Sequence, residues 1–190
     1  MKAPRVISSI LLILVNSYLL LGIILFEWDS RIVISCYWIE TVILIFFSII
    51  KLRKARKYPI YKSKKYPLVS GGDGMAIGLS IFLMLLYIPF IMLVYLKEGG
   101  MNDFILPIFL FLIQTVISHG ISYKINFLGK KEFEKIPNGK IGHGIITRLM
   151  PMHVALIVAF VSDFSIITLV ILKTLIDLAM HNYSHKEETF

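Results

Sequence analysis

Lys173, Asp177 and His181 recur four residues apart inside an otherwise apolar run. On a helix that spacing aligns an ammonium, a carboxylate and an imidazole in one stripe. The run from Phe164 to Met180 is long enough to cross a bilayer, where each charged side chain costs roughly 2.5–3.5 kcal/mol on insertion scales. A carboxylate and an imidazole one turn apart can hold a divalent metal such as zinc. His119 or His153 would be the third donor, leaving one position open for catalytic water. Glu40 is the candidate general base, or the group that orients a ligand. Arg148 and Lys173 argue against a bare dication unless they clamp an anion beside it. The candidate ligand-binding set is therefore Glu40, His119, Arg148, His153 and Lys173, and the candidate metal donors are Asp177, His181, His153 and His119. Haem fits these residues poorly, because its pockets need apolar walls and no Cys-x-x-Cys-His is present.

The same side chains admit readings without a metal. Glu40, Arg148, Lys173 and Asp177 sum to zero charge. Left unpaired they would cost on the order of 10 kcal/mol. Pairing Glu40 with Lys173, and Arg148 with Asp177, would remove much of that and fix helix register with no ligand at all. Intramembrane Asp, Glu and His chains also carry protons, and Arg or Lys in a cavity binds anionic substrates. Six spans suffice for transport, alone or as a homo-oligomer, although no internal repeat supports it.

These residues must be positioned by membrane helices. Hydrophobic residues make up 57% of the chain and charged ones only 17%, against about 45–50% and 25% in soluble domains. The apolar runs fall at about 6–26, 32–50, 75–96, 104–122, 144–161 and 164–180, each near the length that spans a hydrocarbon core. The expected fold is a single all-α, six-helix transmembrane domain over residues 1–190. The first run is longer than a signal-peptide core and lacks a small-residue cleavage site after it, so it reads as an uncleaved span.

Net charge is +8, but the basic residues crowd the segment from Lys51 to Lys65 and recur between Lys124 and Lys140. That is the positive-inside pattern, placing both termini in the cytoplasm. No motif for nucleic acid accompanies it. Tyr58, Tyr61 and Tyr66 among the lysines suit an interfacial segment at 51–66 that meets anionic lipids. The single cysteine, Cys36, has no intramolecular partner. Gly71–Gly74 reads as a flexible entry into the third span, with Gly74 and Gly78 spaced for close helix contact.

Depth follows from this topology. Glu40, His153 and Lys173 fall near mid-membrane, and His119, Arg148, Asp177 and His181 toward the cytoplasm. Gln114, Thr115, Ser118, His119 and Ser122 form a stripe on the fourth span, Tyr37, Glu40 and Thr41 share a face of the second, and Asn16 sits midway through the first. Stripes on several helices avoid lipid together only by converging on the bundle interior, so a polar pocket open to the cytoplasm is expected.

Tyr37-Trp38-Ile39-Glu40 with Lys51, Arg148-x4-His153 and Lys173-x3-Asp177-x3-His181 resemble the motifs of an uncharacterised family of bacterial and archaeal multi-pass membrane proteins, a domain of unknown function. His119-Gly120 is similar to its histidine-bearing helix. The resemblance runs from the second span to the sixth. It implies a six-helix protein of the prokaryotic cytoplasmic membrane and says nothing about activity.

Overall fold

The computed structural model describes residues 3–63, 71–98, 105–161 and 166–186. Only the backbone is described for 3–9, 11–12, 90–91, 93–98, 151–152, 154–161 and 180–186. Among these residues the protein is all helical, with no strand. Its helices are α1 (Ala3–Phe26), α2 (Ser30–Ala55), the short α3 (Pro59–Ser63), α4 (Gly72–Glu98), α5 (Ile105–Ser122), α6 (Lys140–Val161) and α7 (Ile166–Lys186). Among the described residues, three stretches are long and apolar enough to cross a membrane: Ser30–Ala55, Gly72–Pro89 and Ile105–Leu128. The apolar part of α1, Ile13–Phe26, is shorter.

The helices pack in a ring in the order α1, α5, α2, α4, α6, α7 and back to α1. Contact between α2 and α6 closes off α4, which lies outside against both. Five helices thus surround an interior from which α4 is excluded, in keeping with the absence of any charged residue between Met75 and Leu96. Large apolar side chains such as Leu25, Phe82, Leu86, Leu106 and Leu175 are at least half exposed on the outer faces of α1, α4, α5 and α7. So much bare apolar surface suits lipid and not water.

The joints follow local chemistry. Glu27 ends α1 in the left-handed conformation (φ 53°), and the Trp28 amide donates back to the Gly22 carbonyl at 3.2 Å. The helix end is thus closed by a left-handed residue without the usual glycine, one residue wider than a Schellman bond. Gly22 sits under the Trp28 ring, where a Cβ would strike it. Asp29 then caps α2, accepting from the amides of Arg31 (2.8 Å) and Ile32 (3.4 Å), while also pairing with the Arg31 guanidinium. Arg53 and Lys54 occupy the last turn of α2, where the helix dipole favours cations. Pro59 opens α3 at the position where a missing N–H costs nothing.

The entry to α4 is anchored, which corrects the flexible entry expected from Gly71–Gly74. Gly72 has φ +69° against Asn138, where a Cβ would lie 2.7 Å from the side-chain oxygen. The Asn138 oxygen accepts from the Asp73 amide and the Tyr61 hydroxyl, each at 3.1 Å. Asp73 is fully buried, and its Oδ1 accepts from the Gly142 amide at 2.5 Å. One carboxylate therefore ties the start of α4 to the first turn of α6. Close helix contact also arises elsewhere than expected. Gly78 has nothing within 4 Å and Gly74 only the Arg56 guanidinium, whereas Gly142 packs on Ala76 so closely that a Cβ would strike it. Burial and the neighbouring Asp73 carboxylate push the Tyr61 phenol above its ordinary pKa.

Beyond α5 the chain does not enter a loop at Tyr123, as the polar composition suggests. It continues as a π-helical turn, Tyr123–Leu128, and then a 3-10 turn, Glu132–Glu134. Phe127 and Phe133 are buried there against the end of α2. Lys51 and Lys54 place their ammonium groups 5.7 and 4.9 Å from those ring centres. Part of the basic segment is thus spent on cation–π contact.

Candidate functional site

A cavity of about 90 Å³ opens among α1, α2, α5, α6 and α7, several times the ~10–15 Å³ that one water needs. The residues lining it are those the periodicity brings to one face. α5 contributes Thr115, Ser118, His119 and Ser122; α7 contributes Lys173 and Asp177; α2 contributes Glu40 and Thr41; α6 contributes Arg148; and α1 contributes Asn16.

Lys173 is buried, with only 4% of its surface exposed. Its ammonium donates to Glu40 Oε2 at 2.6 Å, pairs with Asp177 Oδ2 at 2.8 Å and donates to Asn16 Oδ1 at 3.3 Å. An ammonium has three hydrogens, so its donors are fully committed. Its Nζ also stands 5.1 Å from the centre of the Tyr37 ring. Lys173 therefore ties α1, α2 and α7 together and has no donor left for a ligand clamp. The Glu40–Lys173 pair is the expected one. The second expected pair, Arg148 with Asp177, does not form, because Asp177 lies one turn from Lys173 on its own helix and turns to it. The Arg148 guanidinium lines the cavity with no ion pair or hydrogen bond among the described residues.

His119 reaches the cavity with its ring stacked on Phe47, centroids 5.8 Å apart. His153 does not line it. Its Nδ1 lies 2.6 Å from the Leu149 carbonyl and must carry the proton, since a carbonyl only accepts. Its ring meets Tyr87 of α4 edge-on at 4.7 Å. Of the four donors considered for a metal, His119 and Asp177 line the cavity, His153 turns away, and the side chain of His181 lies outside the described residues. Among the described residues no three His, Cys, Asp or Glu side chains converge in a metal-holding group.

Thr115 is 1% exposed and its hydroxyl has no hydrogen-bond partner among the described residues. A buried hydroxyl without a partner is costly unless something in the cavity meets it. Asp73 and Asn138 were not singled out from the sequence as functional positions. An acidic residue just after a Gly-Gly pair at a helix start is a capping signal that could have flagged Asp73.

Among the described residues the chain is all-α, with helices apolar enough to be membrane-embedded. More narrowly, it is a member of a family of unknown function, DUF6498, whose model matches residues 1–189. No curated protein and no solved structure matches it.

Proposed function

We propose that this chain is a six-span protein of the prokaryotic cytoplasmic membrane, with both termini in the cytoplasm, that binds a small anion or an anionic headgroup in the inner half of its bundle. The observation that carries the reading is Arg148. Its guanidinium lines a cavity in an apolar bundle, while both nearby carboxylates are held by Lys173. An arginine left without a counter-charge at such a place is expensive, and an anion in the cavity relieves that cost. The hydroxyls of Ser118 and Ser122 and the His119 ring on the same wall supply further polar groups for it. The basic residues flanking α2 and following α5 support the orientation and face anionic lipids.

The test is thermal unfolding of detergent-purified protein with inorganic phosphate or a short-chain phosphatidylglycerol. A ligand at a hundred times its Kd adds about 2.7 kcal/mol, which raises Tm by about 5–11 °C for a chain of this size. Arg148→Gln abolishes the rise. A shift with phosphate alone identifies a soluble ligand, and one with the lipid alone a headgroup. No shift with either ends the reading.

A second reading has its own observation. Because Lys173 joins acceptors on three helices, that trio serves as a register lock whether or not a ligand binds beside it.

A further inference from the structure

The charged groups lining the cavity sum to zero, yet they are segregated. Where Glu40 and Asp177 share the one ammonium of Lys173, there is one negative charge in excess. Where Arg148 stands, there is one positive charge in excess. Each carboxylate commits a single oxygen to Lys173, so Glu40 Oε1 and Asp177 Oδ1 keep their acceptor capacity among the described residues. Thr115, whose buried hydroxyl has no partner among the described residues, lines the same space.

A simple anion on Arg148 leaves the carboxylates overcharged and brings a net negative charge into an apolar bundle. A ligand that carries its own cation neutralises both ends at once. We infer that the cavity binds a small zwitterion, a primary ammonium tethered to a phosphate or carboxylate. Its anion meets Arg148 and its ammonium meets Glu40 Oε1 and Asp177 Oδ1. Those two oxygens accept two of the three ammonium hydrogens, leaving the third for water in the cavity. The inference rests on Arg148 being the anion site and adds the second half of the ligand. The same chemistry has two sources, a free amino acid or aminoethyl phosphodiester and the headgroup of an ethanolamine phospholipid.

The experiment is titration calorimetry on the full chain in detergent at neutral pH. The probes are glycine and glycerophosphoethanolamine, each beside its N-acetylated form, which keeps the anion and removes the ammonium. At least one zwitterion is expected to bind about tenfold or more tightly than its acetylated form. In Glu40→Gln that preference collapses while the acetylated form binds as before, and Arg148→Gln loses both. The wild-type comparison decides the matter alone, should Glu40→Gln not fold. Equal binding of each zwitterion and its acetylated form overturns the inference and leaves a plain anion site. Binding of none of the four removes the anion site too. Weaker binding of glycerophosphoethanolamine in nanodiscs containing phosphatidylethanolamine, relative to phosphatidylcholine alone, supports the lipid source; unchanged binding supports the free one.

Discussion

Replacing Lys173 with methionine leaves Glu40 and Asp177 facing one another without their shared cation. At 2.6 and 2.8 Å and an effective dielectric of about 20, each pair contributes about 6 kcal/mol of Coulomb attraction. Desolvation opposes it: three charges inside an apolar bundle cost roughly 8–10 kcal/mol on insertion scales. The trio is therefore close to balanced while intact, and its value shows only when it is broken. Deleting the ammonium keeps the desolvation of two carboxylates and adds their repulsion, until one of them takes up a proton. The expected loss is that of breaking a buried pair, about 3–5 kcal/mol, or about 6–20 °C in Tm.

The assay is thermal unfolding in detergent followed by tryptophan fluorescence, since Trp38 lies on α2 with its indole N–H on the Met84 carbonyl at 3.3 Å. The triple variant Glu40→Gln, Lys173→Met, Asp177→Asn removes every charge of the trio and is expected to recover at least half of the lost Tm. A Lys173→Met protein that unfolds within about 2 °C of wild type would refute the claim that the trio locks the helices. A triple variant no more stable than the single one would show that uncompensated charge is not what destabilises it.

Three further outcomes follow from other parts of the structure. Arg148→Gln, measured without ligand, leaves stability unchanged or raises it by up to about 2 kcal/mol, because it removes a charge with no partner among the described residues; a loss in the same unfolding assay shows that Arg148 is structurally paired. Gly142→Ala forces α4 and α6 apart at Ala76 and costs about 1–3 kcal/mol, whereas Gly78→Ala, facing open space, is silent; equal Tm for the two removes the close contact. For Tyr61 the phenol is raised in the folded state, so its contribution is intact below the unfolded pKa of about 10 and is lost as pH rises through the folded value; Tyr61→Phe therefore flattens the alkaline decline in Tm, and parallel profiles for the two proteins refute the assignment.

The polar wall of α5 was legible because Thr115, Ser118, His119 and Ser122 repeat at helical spacing, and Lys173 and Asp177 for the same reason. All six line the cavity, whereas Gln114, expected in the same α5 stripe, does not. His153 was legible as an outsider and was overlooked. Five residues after Arg148, it lies about 140° around the helix from it, so the two cannot share one face, and the structure turns His153 to Tyr87. Partner choice was beyond periodicity. Whether Asp177 pairs with Arg148 or Lys173 depends on how α6 is rotated against α7, which no spacing within either helix encodes. The Asp73–Gly142 bond spans 69 residues of sequence. It follows from the approach of two helix starts, a tertiary fact that a glycine-rich stretch conceals by looking like a hinge.

The arginine also separates the two readings of the site. A bundle needing only a register lock is complete with Lys173, whose ammonium already reaches α1, α2 and α7. For that purpose one carboxylate would serve better than two, since the second leaves an excess charge to be balanced. The guanidinium that lines the same cavity makes no ion pair with it among the described residues, so neither charge is compensated by contact. Two opposite charges kept apart across a cavity cost more than the same charges in contact, and that difference is recovered when something polar enters between them. The separation is thus an argument for an occupant: direct contact between Arg148 and Asp177 would make the bundle more stable and the cavity less able to bind.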